Sequence, residues 1–428
     1  MEVLWLSTDT NNHVYFSKDI AARYLIKKKM TIRFGQFSHE VSVEINEELP
    51  QNTIAISEFI FKQYNIPTKL TYEIVISDDT IKIGPVIGIM ISFKRFFRGE
   101  HIGRTLDYHH IKGLLFICEP EDVNLEEGTI KGYYFNPNGK TKVTQWIEEI
   151  FPFPDVIYNR RTRLTAKLYN EFVQHNVLVF NSHYLNKWQQ FEIFSEKPEL
   201  ASFLPETMKL TKSALIKMLK NYDEIYVKPT SKANGTGISL IKKRENGFDL
   251  IDTNSRIEFF HTIDSLYKVI KRKNYLLQQS VAYKAENRNV DFRVMLQKDE
   301  TKKWCYNGFI CKVSHEDSII TNDKCRQKLV RGLKALKSLY NVTTERAKEI
   351  EKEMAQLCER LANSIEEKGI HLGDVAFDII VDSNLKLWVL EIQIRYGATV
   401  YGENASRSKF YRKSMVTPLY YAKALAGF

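Results

Sequence analysis

The stretch that decides the fold is Val375-Ala376-Phe377-Asp378-Ile379-Ile380-Val381, then Asp382-Ser383-Asn384, then Leu387-Trp388-Val389-Leu390-Glu391-Ile392-Gln393-Ile394. Two runs of strand-forming residues around a turn triplet predict a β-hairpin. Side chains alternate along a strand, so Glu391 and Gln393 share one face, while Trp388, Leu390, Ile392 and Ile394 anchor the other. Asp378 lies thirteen residues before Glu391, on the facing strand. Two carboxylates and an amide oxygen thereby converge on one surface. Magnesium takes such hard oxygen ligands, one or two carboxylates with nucleotide phosphates and waters. A buried carboxylate pair with no cation would be costly. The competing reading is two solvated carboxylates on an exposed sheet.

Upstream, Ile225-Tyr226-Val227-Lys228-Pro229 reads as a strand ending in a lysine. Ser231-Lys232-Ala233-Asn234-Gly235-Thr236-Gly237 follows, then a returning strand over 238–241. Glycine lets backbone amides close over phosphates, and Lys228 adds a fixed charge. There is no G-x-x-x-x-G-K-[ST] loop, and an ordinary glycine hairpin with a surface lysine fits equally well. Tyr275-Leu276-Leu277-Gln278-Gln279-Ser280-Val281 reads as a strand running into a connector. It is either a plain core strand or a lender of backbone groups to an adenine ring. In Asn289-Val290-Asp291-Phe292-Arg293-Val294-Met295-Leu296, Asp291 and Arg293 share a strand face. They form either a surface ion pair or an arginine clamp for a phosphoryl oxygen.

Further out, Ala347, Ile350, Met354, Leu357, Leu361 and Ile365 make the apolar stripe of a helix over 344–368, ended by Gly369. Residues 86–90, 113–118, 156–158 and 177–180 read as buried strands, with a helix over 165–174, which implies an α/β sheet. Further helices are expected over 181–194 and 211–219. Residues 1–83 are β-rich, with alternating runs at 31–34, 41–45, 70–76 and 81–83 and one short helix over 54–64. They read as a small β-barrel used as scaffold or docking surface.

The chain has 428 residues, 43% hydrophobic and 27% charged. That gives room for about two or three domains and excludes disorder, collagen or coiled coil as global descriptions. The longest apolar run, about 86–93, is too short for the ~20 residues of a membrane span. Met1-Glu2-Val3-Leu4-Trp5 lacks a basic n-region, so no signal peptide is expected. Five cysteines without a CxxC pair suit reduced thiols in a cytosolic compartment. Cys305, Cys311 and His315 are spaced too widely for a usual zinc set. The net charge of +10 favours anionic partners such as phosphates and acidic substrates. A nucleic-acid partner rests on charge alone and is not expected.

Taken in order, strand lysine, glycine loop, connector, D-x-R strand and terminal D…E-x-N-like hairpin resemble an ATP-grasp enzyme. The Asp378–Glu391 spacing resembles that of D-alanine–D-alanine ligases. A closer resemblance is to the YheC/YheD family of ATP-grasp proteins, described as endospore coat-associated. It is carried by Ile83-Gly84-Pro85-Val86-Ile87-Gly88-Ile89, Pro154-Asp155-Val156-Ile157-Tyr158-Asn159-Arg160, Phe180-Asn181-Ser182 with Lys187-Trp188, and Leu204-Pro205-Glu206-Thr207. Tyr226-Val227-Lys228-Pro229, Asp291-Phe292-Arg293-Val294 and Ser318-Ile319-Ile320-Thr321-Asn322 add to it, from about residue 83 to the final helix.

The resemblance implies a multidomain α+β / α/β chain. A β-rich domain over 1–83 would precede a pre-ATP-grasp α/β domain over 84–182 and an ATP-grasp domain over 183–428. The last would divide into a nucleotide-covering part, 183–280, and a C-terminal part, 281–428. The resemblance also implies roles. Lys187 and Lys228 would hold the α- and β-phosphates. Asn234, Gly235, Thr236 and Gly237 would cover the triphosphate. Gln278, Gln279, Ser280 and Val281 would line the adenine. Asp378, Glu391 and Gln393 would hold Mg²⁺, with Mn²⁺ as an alternative. Arg293 would contact the transferred phosphoryl group, and Lys312 stands where relatives often carry arginine. Arg395, Tyr396 and Arg407 lie in the basic segment 395–413, which reads either as the seat of the substrate carboxylate or as a solvated basic helix.

Three departures from the family pattern stand out. Gln393 replaces asparagine, Arg395-Tyr396-Gly397-Ala398 replaces lysine-proline-glycine, and the loop 231–237 is more polar than usual. The expected function is an ADP-forming ligase joining a small-molecule or peptide carboxylate to an amine through an acyl-phosphate. A phosphotransferase on the same fold, or a structural spore protein with a decayed site, are the alternatives. The expected location is the cytoplasm, with a spore layer as the second place, and the oligomeric state is open.

Overall fold

Among the described residues, four β-sheets order the chain. The computed structural model describes residues 1–97, 102–105, 107–161, 164–232, 234–396 and 409–428. Two units emerge: Met1–His183 with Lys298–Cys305 and Ser406–Phe428, and Tyr184–Gln297 with Tyr306–Ala405.

The first unit holds two seven-stranded sheets. The N-terminal one runs in the order Glu2–Leu6, Thr53–Ser57, His13–Phe16, Phe37–Ile45, Lys29–Phe34, Thr80–Gly84, Glu73–Ser77. Its parallel and antiparallel pairings alternate. This corrects the barrel expectation: the strand order describes a mixed sheet whose two outer strands are not neighbours. The helix expected over 54–64 is also corrected. Thr53–Ser57 is a fully buried strand and only Glu58–Gln63 is helical. The apolar run Ile54-Ala55-Ile56 is a central strand because both of its faces are covered.

The second sheet carries Val86–Met90 between Leu114–Cys118 and Val156–Asn159, all parallel, with Leu178–Phe180 beyond. Every residue of the first three is buried, as expected for parallel strands. The same sheet also holds Val123–Asn124, Thr129–Phe135 and Trp146–Pro152, which the sequence reading does not place. The expected domain 183–428 includes the final helix, Lys409–Leu425. Its Leu419, Tyr421 and Ala422 instead pack into the core of the first unit.

The second unit holds the two sheets that build the site. One contains β1 (Glu224–Pro229), β2 (Ser239–Arg244) and β3 (Tyr275–Gln279), with β1 antiparallel to both others. The other contains β4 (Arg288–Lys298), β5 (Trp304–Ser314), β6 (Asp374–Val381) and β7 (Leu387–Gln393), in the order β5-β4-β6-β7. The hairpin β6–β7 is the one read from sequence, closed at Asp382 to Lys386. Two helices matter here, α1 (Lys187–Ser195) and α2 (Thr344–Glu366). Helix α1 starts later than the expected 181 because Asn186 caps it, in a capping box with Gln189. In α2 the predicted stripe, Ala347 to Ile365, is the buried face.

Candidate functional site

The register of β4, β6 and β7 sets the site. Arg293 of β4 is opposite Asp378 of β6, which is opposite Glu391 of β7. The Arg293 guanidinium donates to both Asp378 oxygens, Nε to Oδ1 and Nη2 to Oδ2, each at 2.8 Å. This fork-on-fork geometry is the strong form of a charged hydrogen bond. Lys312 of β5 is 5% exposed. Its Nζ lies 3.1 Å from Asp378 Oδ1 and 2.8 Å from Asp291 Oδ1. Asp291 also accepts from the Thr321 hydroxyl.

Burial alone would push the Asp378 carboxyl up, but Arg293 and Lys312 outweigh it and hold it far below the usual carboxylate range. The same pairing raises Arg293, against the effect of its burial. Asp291 moves the other way: burial raises it, and Lys312 only partly opposes that.

A second cluster adjoins the first. Lys187, at the start of α1, places Nζ 2.6 Å from Glu391 Oε2 and 3.2 Å from the Lys232 carbonyl. Burial works to lower Lys187, but Glu391 outweighs it and the net shift is upward. Gln393 donates to Glu391 Oε1. Lys228 donates to Gln278 Oε1, and Gln278 donates in turn to Thr207 Oγ1 at 3.0 Å. Burial pushes Lys228 down to about 8, against the pull of Glu391. Lys187, Lys228, Gln278 and Thr207 line one cleft, whose other walls include Phe191, Leu276 and Leu390. An apolar slot with a few convergent polar groups is the usual form of a small-molecule site.

The oxygen donors fit a hard divalent cation. A carboxylate offers about four lone-pair sites. Asp378 uses three, for Arg293 and Lys312, and Glu391 uses two, for Lys187 and Gln393. Both therefore retain acceptor capacity, and Glu391 retains more.

The glycine loop is built as backbone sterics demand. Asn234, Gly235 and Gly237 all have positive φ, at 57°, 72° and 79°. A Cβ at Gly235 would run into Asn322 and Ile320, and one at Gly237 would lie 2.7 Å from the Tyr275 hydroxyl. Thr236 lies in the turn between the two glycines.

Some expected residues sit elsewhere. Gln279, Ser280 and Val281 are not among the residues lining the cleft. Gln279 instead bonds Glu206 through backbone and side chain, and the Ser280 amide donates to Glu224. Tyr396, expected at the substrate, is buried with its hydroxyl 2.7 Å from Asp374 Oδ1 and accepting from Gln297 at 3.1 Å. Such a satisfied buried hydroxyl is a packing feature. Arg395 is half-buried, and Arg407 lies outside the described residues. Cys305, Cys311 and His315 form no metal-type group among the described residues.

Sequence reasoning missed Gln190. It accepts from the Ile392 amide at 3.0 Å and donates to the Ile392 carbonyl at 3.2 Å, pairing with β7 as another strand would. The only available signal was its position one turn after Lys187.

A family model for YheC/D-like ATP-grasp matches residues 176–425, more than half of the chain. The chain belongs to the YheC/D-like ATP-grasp family. This ATP-grasp chain is 27% identical over 381 residues to the endospore coat-associated protein YheD of Bacillus subtilis (strain 168), covering 82% of this chain and 81% of that one. Among solved structures it is similar to N5-carboxyaminoimidazole synthase from Aspergillus clavatus, in complex with ADP and 5-aminoimidazole ribonucleotide. There the identity is 9% and the TM-score 0.47, over 78% of this chain and 77% of that one. The corresponding synthetase from Staphylococcus aureus, complexed with ADP, gives 12% identity and a TM-score of 0.46 over the same shares. No helix among the described residues is long and apolar enough to cross a membrane.

Proposed function

We propose that the chain is an ADP-forming carboxylate–amine ligase that uses ATP and Mg²⁺ and acts on an amino-acid or peptide carboxylate. The observation that carries this reading is the position of Lys187. It lines the cleft beside Lys228 and Gln278 and also pairs with Glu391 of the acidic set. A nucleotide base in the apolar slot would thus have its phosphates directed to the carboxylate end. Within this reading, 1–83 is an appended β-rich domain, 84–182 a pre-ATP-grasp domain and the sheets after 183 the ATP-grasp itself.

Each group then has a task. Lys187 exchanges Glu391 for a phosphate oxygen, and Lys228 exchanges Gln278 for another. Glu391, Asp378 and Gln393 would hold Mg²⁺, which when bound neutralises charge on the phosphates. Arg293 and Lys312 face the phosphoryl group in transfer. The substrate carboxylate oxygen attacks the γ-phosphorus, the bond to the β–γ bridging oxygen breaks, and ADP leaves. The amine nitrogen then adds to the acyl carbon, phosphate departs, and the amine proton is lost to solvent or phosphate. Positioning and charge neutralisation supply most of such catalysis.

The test is a screen of amino acids and peptides for ADP release, with hydroxylamine as a trap. Hydroxamate formed in step with ADP supports an acyl-phosphate. ADP release with phosphate found on an alcohol acceptor and no hydroxamate would replace the ligase by a phosphotransferase. A second reading is favoured by the kinship with a protein named as coat-associated. In it the chain is a spore-layer component with no turnover, and calorimetry would find no binding of a nucleotide analogue at millimolar concentration. The proposed location is the cytoplasm, with association to the spore.

A further inference from the structure

Residues 318–322 matched the family in sequence, yet the ligase reading assigns them no task. They belong to no helix or strand, but Ser318, Ile319 and Thr321 are buried. Loops normally run over the surface because their backbone polar groups need water. Here side chains of neighbouring strands satisfy that backbone. Tyr226 of β1 donates to the Ile319 carbonyl at 2.8 Å, and Asn289 of β4 donates to the Ser318 carbonyl at 2.6 Å. The Asn322 carbonyl accepts from the Cys325 amide at 2.9 Å.

Two side chains of this segment reach the site. Asn322 Nδ2 donates to the carbonyl of Asn234, the residue before Gly235 in the glycine loop, and its amide occupies the space a Cβ at Gly235 would need. The neighbouring Thr321 donates its hydroxyl to Asp291, whose other oxygen pairs with Lys312. Adjacent residues thus hold the loop on one side and a buried lysine's counter-ion on the other.

We propose that 318–322 is a strap of positioning residues, in which Asn322 fixes the glycine loop and Thr321 fixes Lys312 through Asp291. This deepens the ligase reading and rests on it for the identity of the phosphates. The strap's mechanical content stands apart from that reading. Loop and lysine are held by one five-residue segment, so freeing either peg loosens both. Neither side chain needs to touch substrate for this.

The test is amide hydrogen exchange at 234–238 in the nucleotide-free full chain, for wild type, Asn322→Ala, Thr321→Val and Thr321→Ser. Losing one hydrogen bond of ordinary net worth predicts exchange about tenfold faster in Asn322→Ala. Thr321→Val does not touch the loop, yet it should speed exchange there several-fold. Thr321→Ser keeps the hydroxyl and should stay within about twofold of wild type. Loop exchange at the wild-type rate in Thr321→Val would overturn the strap, as would failure of serine to rescue. Binding of a Mg²⁺–ATP analogue, measured on the same proteins, judges the other reading. If the wild type binds none, the nucleotide assignment fails while the exchange pattern still decides the strap. If it binds, Asn322→Ala should raise KM for ATP and Thr321→Val should lower kcat.

Discussion

Arg293 and Asp378 stand opposite each other on β4 and β6 and are joined by two parallel hydrogen bonds of 2.8 Å. Asp378 is buried and Arg293 largely so, and the worth of the pair lies in its completeness. Removing Arg293 leaves the buried Asp378 with Lys312 as its remaining cationic partner, so its charge stays partly compensated.

Arg293→Ala should therefore destabilise the protein by less than the about 3–5 kcal/mol of a fully broken buried pair, because Lys312 stays beside Asp378. Arg293→Lys keeps the charge and loses the fork, and should cost less. Urea denaturation of both variants against wild type checks the order. A lysine variant as unstable as the alanine one would show that the fork itself, rather than the charge, is what matters.

The low carboxyl of Asp378 fixes a sign for acid behaviour. A carboxylate held below its unfolded value stabilises the fold above that value and loses the contribution as pH falls through the folded one. Denaturation midpoints should thus fall below about pH 4, and Asp378→Asn should weaken that dependence. Asp291 shares Lys312 with Asp378 and is shifted upward by burial, so the single-site comparison is necessary.

Lys228 gives a second pH signature. Burial pushes it down to about 8, so above that value the ε-amine is neutral and offers phosphate no charge. Affinity for Mg²⁺–ADP should fall as pH rises from 7 to 9, by up to about tenfold per unit above 8. Near pH 8 binding should take up a proton, visible as calorimetric heats that depend on the buffer. Lys228→Gln should abolish both effects.

Glu391→Ala and Lys228→Ala should each cut turnover by roughly 10²–10³-fold, the usual loss for one electrostatic stabiliser. Glu391→Ala should also remove the Mg²⁺ dependence of nucleotide binding. Near-wild-type turnover in both variants would move the active site elsewhere.

Gly235→Ala places a methyl at φ 72° and against Asn322 and Ile320. It should cost about 1 kcal/mol or more in stability, since alanine does not accept positive φ readily. Gly237→Ala meets only the tip of Tyr275 and should be milder. Melting temperatures of the two variants decide this.

Much of this was legible in the chain. Period-two alternation placed Glu391 and Gln393 on one strand face, and the turn at 382–384 made Asp378 their neighbour. The helical stripe from Ala347 to Ile365 needed no tertiary information either, because amphipathic spacing is local. The strand at 53–57 was misread as helix because a short apolar run has no diagnostic period. Its identity depends on sheets covering both faces.

Sequence by itself determined which residue types were present and which lay on a common face, because those follow from chain spacing and strand geometry. Only the tertiary structure decided their partners. It set Arg293 on Asp378, Lys187 on Glu391 and Lys312 between Asp291 and Asp378. It buried Tyr396 against Asp374 and Gln297 and brought Asn322 to Asn234. The physical reason is that a charge taken out of water must find its counter-charge across strands far apart in sequence. That choice is made by sheet register and packing, which no local pattern encodes.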